Sequence, residues 1–93
     1  MIMDDNEKKA TEEALKAIED YLAAKRNRRE KVAFLLEKYG VREVYDLLGV
    51  CEDAEWKELV RLSGEENSKF MEAKAASYRE QKAKEGKGRK ILE

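Results

Sequence analysis

Histidine is absent from this chain of 93 residues, so the commonest general base and the commonest metal ligand are both missing. A single cysteine, Cys51, excludes an intramolecular disulfide framework. No apolar run approaches the roughly 18 residues that a membrane-crossing helix needs. The opening Met1-Ile2-Met3-Asp4-Asp5 lacks both the basic stretch and the apolar run of a secretory signal. Together these absences lead us to expect a cytoplasmic protein that is not an enzyme, has no cofactor, metal or small-molecule substrate, and does not enter a membrane. Proline is also absent and aromatic residues make up only 8% of the chain. What remains is 44% charged and 42% apolar, with eleven alanines, the composition of long amphipathic helices.

A chain of this length forms one small module with little room for a deep pocket. We expect a single helical domain over residues 1–84 and a flexible basic tail over 85–93. The net charge of −1 hides an uneven distribution. Residues 1–31 carry eight acids and eight bases, 32–63 seven acids and four bases, and 64–93 six acids and eight bases. The middle is acidic and the tail basic.

Asp4 and Glu7 have capping-box spacing, which starts a first helix near Asp4. Ala10, Ala14, Ala17, Ile18, Tyr21, Leu22 and Ala24 fall on one broad face of it, with Leu15 at the edge. Lys25 to Lys31 contains no apolar residue, so either the helix breaks near Asn27 or a solvated turn passes through. Val32, Leu35, Leu36 and Tyr39 make a second stripe, with Phe34 on the opposite side. Gly40 then stands where a left-handed residue ends a helix, with Val41 placed to touch Leu36 as in a Schellman stop. Val41, Val44, Tyr45 and Leu48 line the inner face of a short helix, and Gly49-Val50 repeats the stop. Cys51, Glu52 or Asp53 caps the next helix, whose stripe is Trp56, Leu59 and Val60. Ser63 and Glu66 form a capping box for a last helix running into the low eighties. Its stripe of Phe70, Met71 and Tyr78 is interrupted by Lys74, so it must dock on the first helix or on a second subunit. The expected architecture is an all-α bundle of four to five helices with a protruding C-terminal helix.

Little of this supports catalysis. Cys51 sits near a helix N-terminus, but Glu52 and Asp53 oppose thiolate formation, so it reads as an inert, partly buried residue. Glu12, Glu13, Glu19 and Asp20 match neither an EF-hand loop nor a Glu-x-x-His site and read as a solvated face. The Gly86 to Lys90 segment lacks the strand and the Gly-Lys-Ser/Thr ending of a phosphate loop. Two basic clusters, Lys25 to Lys31 and Lys82 to Lys90, could each neutralise a few phosphates.

Val41 to Val50 followed by Asp53 to Leu62 resembles the two central helices of the helix-turn-helix family, with Val32 to Tyr39 as the supporting helix. That resemblance implies DNA binding, with Arg26, Arg28, Arg29 and Lys31 on phosphates and Lys87, Arg89 and Lys90 in a basic arm. In the family's geometry, however, the front of the second helix would present Glu52, Asp53, Glu55 and Glu58, which phosphates repel. The leading expectation is therefore a non-enzymatic interaction protein, a regulator or assembly factor. It would act through a protein partner or through self-association as a homodimer, with Phe34, Trp56, Phe70, Met71 and Tyr78 as contact residues. DNA binding is the alternative.

Overall fold

The computed structural model describes residues 5–85, and of Glu85 only the backbone. The Asp4 cap and the segment 86–93, which includes Lys87, Arg89 and Lys90, lie outside the described residues. The chain folds as α1 (Asp5–Tyr39), α2 (Val44–Leu47) and α3 (Asp53–Glu85), with no strand among the described residues. It is all-α, but its three helices replace the expected four to five. Two of them, of 35 and 33 residues, form a hairpin measuring 57 × 26 × 19 Å.

Pairings along the hairpin fix its direction. Thr11 meets Glu80, Tyr21 meets Phe70, Arg28 meets Glu66, and Tyr39 meets Glu55, so α1 and α3 run antiparallel. On α1 the inward positions are Ala10, Ala14, Ala17, Tyr21, Ala24, Arg28, Lys31 and Leu35, and on α3 they are Leu59, Leu62, Glu66, Lys69, Ala73, Ala76, Glu80 and Ala83. Spacings of three and four alternate without a skip in both sets, which is the register of a coiled-coil seam. Side chains along it shrink away from the corner. Near the corner Leu35, Leu47 and Leu59 are buried together, with Val32, Leu36, Tyr39, Val41, Cys51 and Trp56 packed around them. Towards the far end the buried residues are Ala14, Ala24, Ala73 and Ala76.

The continuous seam explains why two expected boundaries do not occur. Lys25 to Lys31 is uninterrupted helix, because Arg28 occupies an inward position and donates to the Glu66 carboxylate across the seam. For the same reason Ser63 caps nothing: it lies inside α3, and Glu66 turns towards α1 rather than back along its own chain. The last helix is thus the continuation of α3, docked along α1.

The two glycine stops also differ. Gly40 has φ +67°. Its N–H bonds to the Glu37 carbonyl, and that of Val41 to the Leu36 carbonyl, which are the two bonds of a Schellman motif. Gly49 is not in the left-handed region. There the N–H groups of Leu48, Gly49 and Val50 each reach back three residues, so the chain leaves α2 through tight turns. A second left-handed stop is unnecessary, and α2 turns Leu47 inward, leaving Val44, Tyr45 and Leu48 exposed rather than on its inner face.

Candidate interaction surface

α3 begins with Glu52 as its capping residue, since the Glu52 carbonyl accepts the Trp56 N–H. Three residues on, the Glu55 carboxylate accepts the Glu52 N–H at 3.0 Å, the returning half of a capping box. The same carboxylate takes the Lys38 ammonium and the Tyr39 hydroxyl from the end of α1. Those bonds, with Lys38 first and Tyr39 second, hold Glu55 down at a pKa of about 2, and raise those of Lys38 and Tyr39. Of the four acids expected on an outward front, Glu52 and Asp53 are exposed. Glu55 is instead turned onto α1, and Glu58 is half-buried and bonded to Arg61, which lowers its pKa. Residues 32–62, which carry the helix-turn-helix resemblance, make up this corner.

The seam divides the rest of the hairpin surface into two flanks of unlike chemistry. On one flank α1 presents Glu13, Asp20, Glu30, Phe34 and Glu37, and α3 presents Glu58, Arg61, Glu65 and Glu72. A shallow groove here is lined by Asn27, Glu30, Lys31, Phe34, Glu58, Arg61, Leu62 and Glu65. Several cations stand on this side: Lys16 pairs with Asp20, Arg61 with Glu58 and Glu65, Lys31 lies over the Phe34 ring, and Arg79 follows Glu65 and Glu72 in the same row.

Beyond Asp53 at the start of α3, the opposite flank carries no acid in the register positions that border the seam, and the nearest acids are Glu30, which shares a recess with Leu22, Lys25 and Arg29, and Glu66 in the seam. From α1 come Thr11, Leu15, Ile18, Leu22, Lys25, Arg29 and Val32, and from α3 Trp56, Val60, Ser63, Asn67, Phe70, Lys74, Ser77 and Lys84. Leu15, Ile18, Leu22, Val60 and Phe70 remain exposed. Phe70 leans on Tyr21 with ring centroids 5.5 Å apart, and a groove runs between the helices past Tyr21, Ser63, Glu66, Asn67 and Phe70. Farther along, the Thr11 hydroxyl donates to the seam acid Glu80 at 2.9 Å, and this bond, followed by Lys84, lowers the Glu80 pKa. Surface is plentiful: the chain exposes 7076 Å², against about 5,500 Å² for a typical folded monomer of 10.8 kDa.

The candidate contact residues divide among these regions. Trp56 packs into the corner cluster, and Phe34 lies on the acidic flank. Phe70 lies on the acid-poor flank, while Met71 and Tyr78 form the outer ridge of α3, beside it and exposed. The candidate phosphate contacts are similarly dispersed. Arg28 is engaged with Glu66 in the seam, Lys31 lies towards the acidic flank, and only Arg26 and Arg29 stand together with Lys25 on the outer face of α1, beside Leu22 and Glu30. Cys51 is half-buried against the corner.

Leu15, Ile18 and Leu22 are exposed apolar residues that the sequence analysis did not name as candidate contacts. The signal was present: the apolar face on α1 is wider than one neighbouring helix can cover, and α3 takes only its alanine side. No protein-family model, curated protein or solved structure matches the chain. Among the described residues no three His, Cys, Asp or Glu side chains are grouped to hold a metal ion, and no helix is long and apolar enough to cross a membrane.

Proposed function

We propose that this protein is a non-enzymatic helical hairpin that regulates or assembles other proteins by direct contact, through the flank bearing Leu15, Ile18, Leu22 and Phe70. The observation that carries this reading is the pairing of a two-helix frame with apolar side chains that its own core leaves uncovered. Monomeric proteins seldom leave a continuous apolar strip without a use for it. The partner is a protein, either a different chain or a second copy.

A photo-crosslinking residue placed at position 22 tests the proposal, with the same residue at position 65 on the opposite flank as the reference. Position 22 is expected to capture protein in an extract of the source cells and position 65 to capture far less. Equal labelling from both positions, or no protein adduct from position 22, would refute the reading.

A further inference from the structure

We propose that the acid-poor flank receives an acidic amphipathic helix from a different protein, which lies along the groove between α1 and α3 and completes a three-helix bundle. This inference rests on the protein-contact role proposed above and specifies the chemistry of the partner.

Shape and charge agree on this occupant. The groove past Tyr21, Ser63, Glu66, Asn67 and Phe70 is concave, its one acid, Glu66, is already paired with Arg28, and Ile18 and Leu22 are exposed on α1 beside Tyr21, the relief into which the ridge of a third helix packs. Charge then selects the sequence of that helix. Lys25, Arg29 and Lys74 border the apolar strip, and none of them has an ion-pair partner among the described residues. A ligand helix with leucine-like residues on one face and carboxylates at its margins satisfies both features at once.

Three other occupants fit less well. A second copy joined by a two-fold axis would set this flank, with its excess of cations, against itself. Duplex DNA would satisfy Lys25 and Arg29 but would leave Leu15, Ile18, Leu22 and Val60 against phosphate and water. A bilayer needs a convex apolar ridge to insert, and the strip here borders a concave groove lined by Ser63 and Asn67.

The test is an anisotropy titration of the full chain with a labelled synthetic helix of roughly 25 residues, carrying Leu at amphipathic spacing and Glu on its flanks. A matching helix with Lys in place of every Glu serves as the comparison. The Glu helix should bind at least tenfold more tightly. Leu22→Glu should weaken it tenfold or more, and Phe34→Glu on the other flank should leave it unchanged, with circular dichroism confirming that both variants fold. The triple charge reversal Lys25→Glu/Arg29→Glu/Lys74→Glu should switch the preference to the Lys helix. Equal or stronger binding of the Lys helix by the unaltered chain, or no binding of the Glu helix, would overturn the inference. So would displacement of the bound helix by duplex DNA or by phosphatidylserine vesicles. A doubled mass in sedimentation equilibrium, lost in Leu22→Glu, would instead assign the flank to a second copy and overturn it as well. If protein adducts form at position 22 while the Glu helix fails to bind, the contact role stands and only the partner chemistry falls.

Discussion

Glu55 gathers three donors at the corner on one carboxylate: the Glu52 N–H at the start of α3, and the Lys38 ammonium and Tyr39 hydroxyl in the last turn of α1. Its pKa falls from 4.5 to about 2 on folding, so between those values the unfolded chain binds more protons than the folded one. Stability from this group is therefore complete above pH 4.5 and is lost as the pH falls through 2. Urea midpoints measured from pH 7 down to pH 2 should decline in that window, and Glu55→Gln should lower the midpoint at pH 7 and flatten the decline. A second single-residue device is Gly40. A Cβ there would meet nothing within 4 Å, so substitution exposes only the backbone cost of φ +67°. Gly40→Ala should destabilise by about 1–2 kcal/mol in chemical denaturation.

Between elements, the seam depends on an ion pair where a coiled coil ordinarily has apolar residues. Arg28 and Glu66 are largely buried there, with side chains 29% and 17% exposed. Arg28→Leu strands the Glu66 carboxylate against α1 and should destabilise by about 1–3 kcal/mol. Adding Glu66→Leu should recover that loss or exceed it, because an apolar pair then fills the same space. Gly64, in the interior of α3, has open space around it. Gly64→Ala should raise stability by about 1 kcal/mol, through backbone entropy and helix propensity alone. The Arg28 to Glu66 pair also explains what was and was not legible in the sequence. The all-helical class, the Schellman stop at Gly40 and the Leu35 stripe follow from local spacing and are present in the structure. The continuity of both long helices does not, because a charged residue at a core position looks like a gap until its partner on the other helix is aligned with it. Seen alone, Arg28 suggested a break and Ser63 with Glu66 a new start, although the two segments answer each other across the seam. The flank was hidden for a related reason: that Ala14 turns inward while Leu22 stays outside depends on which side of a broad stripe α3 takes.

Across the whole molecule, the buried apolar mass is graded. Leucines fill the corner, and alanines, which remove little surface from water, line the seam towards the other end. Amide hydrogen exchange should follow that gradient, slowest around Leu35, Leu47 and Leu59 and progressively faster through residues 10–17 and 73–83. Uniform protection along both helices would contradict it. The hairpin thus has the mechanics of tongs: a tight pivot at the α1–α2–α3 corner, and two long arms held lightly against each other. Leu22 belongs to one arm and Phe70 to the other, so a helix that grips both clamps the arms, and its arrival would register as slowed exchange at the alanine tips, beyond the residues it touches.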